Sequence, residues 1–177
     1  MTIIMNKTIV TPKSYFRLLN ILFAALLIGQ ILFAAIAFFV NYTQPIASPF
    51  SNELQQLFLI IVPVVAVVNI AVSYFIFTVK IKAIRNETDW RRRLESYQAA
   101  LIMRYALMEM PSLLAIVIFM LTGNFLFLGV MAAMVLLLLY IKPSINAMVQ
   151  HLQLHYNDVA TLQESDTVLY EKEWAIN

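Results

Sequence analysis

Four long apolar stretches dominate the sequence and constrain its fold more than any other feature. They cover residues 18–40, 57–79, 98–121 and 125–141. A helix needs roughly 20 mainly apolar residues to cross about 30 Å of hydrocarbon, and each stretch approaches or exceeds that length. We therefore predict an all-α, integral membrane four-helix bundle over residues 1–143. A cytoplasmic tail over residues 144–177, amphipathic and then acidic, is expected to add one or two short helices.

The composition agrees with a membrane protein and excludes several kinds of chemistry. Apolar residues make up 62% of the 177 positions and charged residues only 12%, where a soluble domain has about 25% charged. Cysteine is absent, which excludes disulfides, thiolate metal ligands and cysteine nucleophiles. Because no nucleophile–base pair, metal cluster or phosphate-binding loop is recognisable, we predict neither an enzyme nor a cofactor. The net charge of +2 follows from membrane topology, so no nucleic acid partner is predicted.

Lysine and arginine lie almost entirely on one side of the four stretches. Three precede the first stretch, six lie between the second and third, and two follow the fourth, whereas the segments 41–56 and 122–124 have none. Arg104, inside the third stretch, is the remaining one. Basic loops stay in the cytoplasm. The distribution therefore predicts an inner or plasma membrane protein with both termini in the cytoplasm.

The connections between the stretches carry helix start and stop signals. Pro45 and Pro49 predict an irregular loop over residues 41–56, and Asn86 marks a break after the second helix. Side chains that accept a hydrogen bond from the first turn are expected to begin the next helices. The candidates are Ser51 or Asn52, Thr88 or Asp89, and Ser144.

The tail has the apolar spacing of a helix on a membrane surface. Ile145, Met148, Leu152 and then His155 or Tyr156 recur at helical intervals, which favours an amphipathic helix on the inner face. A second cap at Asn157 or Asp158 predicts a short acidic helix at the end of the chain. The tail docking on the basic cytoplasmic loop is the simpler alternative.

Glu109 lies near the middle of the third stretch, where its side chain is too short to reach either membrane surface. A charged carboxylate there costs about 2.5–3.5 kcal/mol on insertion scales. Arg104 does not neutralise it easily, because five residues along a helix place the two side chains about 140° apart. Glu109 is therefore expected to be protonated, or to face the bundle interior with polar partners.

Candidate partners for Glu109 lie on its own helix and at the same depth in two others. Tyr105 and Ser112 are four residues before it and three after it, which places them on the same face. Gln30 and Asn69 lie near the centres of the first and second stretches. We predict a polar core of these five residues. Either they hold the helices together by hydrogen bonds, or Glu109 binds a proton, a cation or a cationic substrate.

The basic residues next to the third stretch are candidates for lipid contacts. Arg91, Arg92 and Arg93 form a juxtamembrane cluster of the type that binds acidic headgroups. Arg104 is expected to extend towards the same headgroups. The alternative is that these residues only set the orientation in the membrane.

The sequence ALMEMPSLLAIVIFML, residues 106–121, resembles the ion-carrying helix of the rotary-ATPase proteolipid (c-subunit) family. The resemblance implies that Glu109 carries a proton or sodium ion. The rest of the chain departs from that family, since it has only three glycines and places the matching helix third of four. No rotor ring is predicted. The pattern also resembles small bacterial four-span membrane proteins, which implies no particular activity.

Two functional classes follow. One is a small proton- or cation-coupled transporter or channel subunit that uses Glu109, and the other is a non-catalytic structural or accessory subunit of a membrane complex. Four helices enclose little room, so we expect a homo-oligomer or other membrane subunits as partners besides lipid; small residues such as Gly129, Ala132 and Ala133 favour close helix packing. His151 and His155 have the i, i+4 spacing of metal ligands, but no third ligand is near in sequence, so no metal site is predicted.

Overall fold

Five helices account for most of the structure, and the first three extend beyond the apolar stretches at both ends. The computed structural model describes residues 5–43, 50–154, 159 and 169–175. The helices are α1 (Pro12–Thr43), α2 (Asn52–Arg85), α3 (Trp90–Thr122), α4 (Leu126–Tyr140) and α5 (Ile145–Leu152). The predicted helical character is confirmed.

Three helices are long and apolar enough to cross a membrane. These are α1, α2 and α3, each of 32 to 34 residues. With 15 residues, α4 is about 22 Å long and falls short of the hydrocarbon thickness by itself. A fourth span is counted only if α4 and α5, which meet at an angle of 77°, form one broken span. The described part of the chain therefore has three membrane-spanning candidates, or up to four.

The helix boundaries show which of the alternative caps the protein uses. Ser51, Asp89 and Ser144 each accept a hydrogen bond from a backbone N–H of the first turn of α2, α3 and α5, at 3.4, 3.0 and 3.1 Å. The predicted break near Asn86 is confirmed, because α2 ends at Arg85 with Asn86 as its cap. The irregular loop predicted over residues 41–56 is shorter, because residues 41–43 belong to α1 and residues 52–56 to α2. Residues 44–49 lie outside the described part of the chain.

Successive helices run in opposite directions, with α3 packed against α1, α2 and α4. At one end, the Tyr15 hydroxyl of α1 donates to Leu94 O of α3 at 2.8 Å. At the other, Asn41 Nδ2 donates to Met120 O at 2.9 Å. The first of these ends holds the start of α1, the α2–α3 connection and α5, and we call it the basic end. It is the end that carries the lysine- and arginine-rich segments.

An unexpected pair of strands joins the two terminal segments of the chain. Strand β1 (Met5–Val10) pairs antiparallel with β2 (Tyr170–Ala175), and the backbone N–H of Leu169 donates to Val10 O at 2.8 Å. Leu169 is buried among the helices at the basic end. The prediction of an acidic helix at the end of the tail is wrong for residues 170–175. Pairing with β1 provides hydrogen-bond partners for their backbone N–H and C=O groups instead.

The amphipathic tail helix exists but is shorter than predicted. Met148 and Leu152 are buried on its inner face. The helix ends at Leu152, followed by Gln153 at φ 50°, and Leu154 is no longer helical. The predicted continuation to His155 or Tyr156 and the caps at 157 and 158 lie outside the described residues.

Candidate functional site

A buried polar pair joins α1 to α3 in the interior of both helices. Gln30 and Ser112 are both completely buried, and Ser112 Oγ donates to Gln30 Oε1 at 2.8 Å. Along α3, Ser112 separates two apolar clusters, one of which ends at Met108 and the other of which begins at Ala115. The structure therefore brings together two of the predicted core residues at a polar level between two apolar layers.

Glu109 lies one helical turn from this pair, towards the basic end. Its side chain is partly exposed and lines an apolar cavity of about 290 Å³ between α1 and α3. Gln30 interacts with the Glu109 carboxylate, while Gln30 Nε2 makes no hydrogen bond of standard geometry with the described residues. That N–H group is therefore available as a donor to Glu109. The walls of the cavity are Leu19, Leu22, Ala25, Leu26, Ile102 and Tyr105.

Of the two remaining predicted core residues, Tyr105 lies at this site and Asn69 does not. The Tyr105 side chain is buried and lines the cavity beside Glu109, although its hydroxyl donates to Ile141 O at 3.3 Å. Asn69 Nδ2 instead donates to Val65 O of its own helix at 2.9 Å. No described contact joins Asn69 to Gln30 or Glu109. Equal depth in the membrane does not decide which face of a helix a residue occupies.

Arg104 packs against α2, and its contact with lipid headgroups stays a prediction. Its guanidinium carbon lies 4.4 Å from the centroid of the Phe77 ring in α2, a cation–π contact. Its Nε is buried and makes no hydrogen bond with the described residues. Arg104 therefore contacts α2 while Glu109 faces α1, which agrees with the expected separation of the two charges around α3.

The three consecutive arginines at the start of α3 have different partners. Arg91 and Arg92 form exposed ion pairs with Glu95 at 3.2 Å and with Asp89 at 3.6 Å. Arg93 instead donates from Nη2 to Leu152 O at the end of α5, at 3.0 Å. A cation at a helix C-terminus is favoured by the unpaired carbonyls there. Arg93 therefore anchors α5, and headgroup binding by the cluster stays a prediction.

His151 connects α5 to α2 and α3 in an arrangement that the sequence analysis missed. Its Nδ1 lies 3.1 Å from the Tyr97 hydroxyl, its ring packs edge-on against Phe77, and its backbone oxygen accepts from Arg85 Nε at 2.7 Å. Burial, and then the charges of Arg104 and Arg85, lower the pKa of His151. Its partners lie 54 and 66 positions away, so local sequence carries no signal for this contact.

Comparison with known proteins gives no match: no protein-family model, no curated protein and no solved structure is significantly similar to this chain.

Proposed function

We propose that this is a multi-pass membrane protein in which Glu109 binds and releases a proton or cation, as a subunit of a small proton- or cation-coupled transporter or channel. The observation that carries the proposal is the position of Glu109. It is a partly exposed carboxylate in an apolar cavity, beside the buried pair of Gln30 and Ser112.

The surroundings of Glu109 suit a group that changes its charge. An ionisable side chain at this depth is costly to keep charged, and such residues usually mark ion pathways or proton relays. The apolar walls favour the neutral acid, whereas the free N–H of Gln30 is a donor for the carboxylate. Because the side chain is only partly enclosed, an incoming proton or cation can reach it. The resemblance of residues 106–121 to the proteolipid helix implies the same role.

The proposal includes an orientation and a partner. We propose that both termini lie in the cytoplasm, at an inner or plasma membrane. The clustering of the basic segments at one end of the helices supports this orientation. Among the described residues, Glu109, Gln30 and Ser112 are the polar groups at this level of the α1–α3 interface. A continuous path for an ion therefore needs groups from a second copy of the chain or from another subunit.

A non-catalytic accessory subunit is the second candidate, and the Gln30–Ser112 pair is the observation that favours it. That pair is sealed from solvent and holds α1 against α3. If Glu109 stays protonated and merely extends this hydrogen-bonded contact, the cavity is a packing surface for a partner helix.

The experiment is ion flux in proteoliposomes that contain the wild type or Glu109→Gln. The amide keeps the shape and hydrogen bonding of the carboxyl group but cannot ionise. The matched control is Glu95→Gln, which removes an exposed carboxylate of the same helix that pairs with Arg91. The proposal expects wild-type flux of protons or a monovalent cation that Glu109→Gln abolishes and Glu95→Gln retains. Absence of flux from the wild type, with a Glu109→Gln variant that is at least as heat-stable, would favour the accessory role.

A further inference from the structure

A second cavity lies at the basic end, between α2, α3 and α5. It has a volume of about 310 Å³ and is separate from the Glu109 cavity, with which it shares no lining residue. Its polar lining comes mainly from Lys82, Arg85, Arg104 and His151, and Phe77 and Tyr74 contribute an aromatic wall.

Among the described residues, the charges that line this cavity are all of one sign: three are cations, and no aspartate or glutamate of that part of the chain contributes. Within the described part of the chain, neither Lys82 nor Arg104 forms a salt bridge, and Arg85 Nε is bonded to the His151 carbonyl. Like charges held this close repel one another. An anion in the cavity would remove that repulsion.

Arg104 adds an unsatisfied donor to the lining of the cavity. Its Nε is buried without a hydrogen-bond partner among the described residues, although a buried charged donor normally has one. The Phe77 ring holds the guanidinium from one face. This leaves the N–H groups, which lie in the guanidinium plane, as the means of binding an acceptor.

We infer that this cavity binds a phosphate group, with Lys82, Arg85 and Arg104 contacting its oxygens. Arginine presents a planar fork of donors that matches a phosphate, and lysine supplies a compact third charge. The aromatic wall continues to Tyr74, which is exposed on the outer face of α2, next to where acyl chains would lie. The headgroup phosphate of an acidic phospholipid and a free phosphate share this recognition chemistry.

The test is an equilibrium titration of the purified full-length chain in a neutral detergent, measured by microscale thermophoresis. The probes are inorganic phosphate and dioctanoyl phosphatidic acid, with dioctanoyl phosphatidylcholine as the lipid of no net charge. The inference expects phosphatidic acid to bind more tightly than phosphatidylcholine, with an affinity that falls as salt is added. Binding of inorganic phosphate as well shows that the phosphate alone suffices, and binding of phosphatidic acid alone identifies a lipid site.

Substitutions of the lining residues test whether the phosphate group binds in this cavity. Lys82→Gln and Arg104→Gln should each weaken phosphatidic acid binding about tenfold, because each removes a charge-assisted hydrogen bond. The control Arg92→Gln removes an arginine of the same end that lies outside the cavity and should leave affinity unchanged. Lys82 is exposed, so its variant tests the site even if Arg104→Gln fails to fold. Failure of both phosphate probes to bind, or equal affinity of Lys82→Gln and the wild type, would overturn the inference.

Discussion

Ser112 and Gln30 are 82 positions apart in the sequence, yet the Ser112 hydroxyl donates to the Gln30 side-chain oxygen at 2.8 Å in a completely buried contact. This bond fixes the rotation of α1 against α3. It also holds the free amide N–H of Gln30 on the side where Glu109 lies one turn away. The candidate site is therefore built on an interhelical hydrogen bond.

Removing the Ser112 hydroxyl should destabilise the protein measurably. Ser112→Ala leaves Gln30 Oε1 buried without its donor, and interhelical hydrogen bonds in membranes contribute about 0.6–2 kcal/mol. We expect a loss of that size in the free energy of unfolding, measured by denaturation in mixed micelles. Thr43→Ala, which removes an exposed hydroxyl bonded within its own helix, should change it by less than about 0.5 kcal/mol.

A double variant separates this bond from simple loss of volume. Gln30→Leu with Ser112→Ala removes both partners, which is less costly than leaving one of them unpaired. We expect the two substitutions to be less destabilising together than the sum of each alone. Strict additivity would contradict the proposed contact.

Gly123 should be intolerant of a side chain, because it ends α3 at φ 67° and an added Cβ would lie 3.1 Å from Asn41 Oδ1. Asn41 also donates to the last carbonyls of α3, so it has little freedom to move. We expect Gly123→Ala to lower the free energy of unfolding by about 1–3 kcal/mol. The control is Gly129→Ala inside α4, where a Cβ meets nothing within 4 Å. That change should be neutral or stabilising, since alanine favours helix, and equal losses at both sites would refute the argument.

Acid should weaken the attachment of α5 through His151. Burial and the charges of Arg104 and Arg85 lower its pKa in the folded protein, while the unfolded value is about 6.5. The unfolded chain therefore binds the extra proton more readily than the folded protein. The contribution of neutral His151 to the free energy of unfolding is complete above pH 6.5 and is lost as the pH falls towards the lower folded pKa. Thermal unfolding measured between pH 7.5 and 5 should show this loss in the wild type. His151→Gln should show a shallower dependence, and an identical profile would contradict the assignment.

Arg93 and Arg92 are neighbours in sequence but should differ in importance. Arg93 donates to the Leu152 carbonyl at the end of α5 and has a buried Nε, whereas Arg92 forms an exposed ion pair with Asp89. Arg93→Gln should therefore release α5 and speed limited proteolysis after residue 144. The protease should cleave Arg92→Gln at the wild-type rate, because exposed ion pairs contribute little to stability. Equal protection in the two variants would show that other contacts hold α5.

Local chemistry explains what could be predicted from the sequence. The helices, their caps at Ser51, Asp89 and Ser144, and the break at Asn86 depend on apolar length and on side chains within one turn. The same reasoning placed Glu109, Ser112 and Tyr105 on one face of α3. It failed for the end of the tail, because the partner of β2 is β1, more than 150 residues away.

By itself, the sequence determined that long apolar helices form, where α2, α3 and α5 begin, and that the basic residues meet at one end, because these properties depend on neighbours along the chain. Only the tertiary structure decided which polar residues meet. It put Gln30 beside Ser112 and Glu109 and left Asn69 bonded to its own helix, because the rotation of each helix follows from packing against the others. It also turned Arg104 onto Phe77 and brought Lys82, Arg85 and His151 to the same cavity. Those contacts join three helices whose relative positions no local pattern encodes.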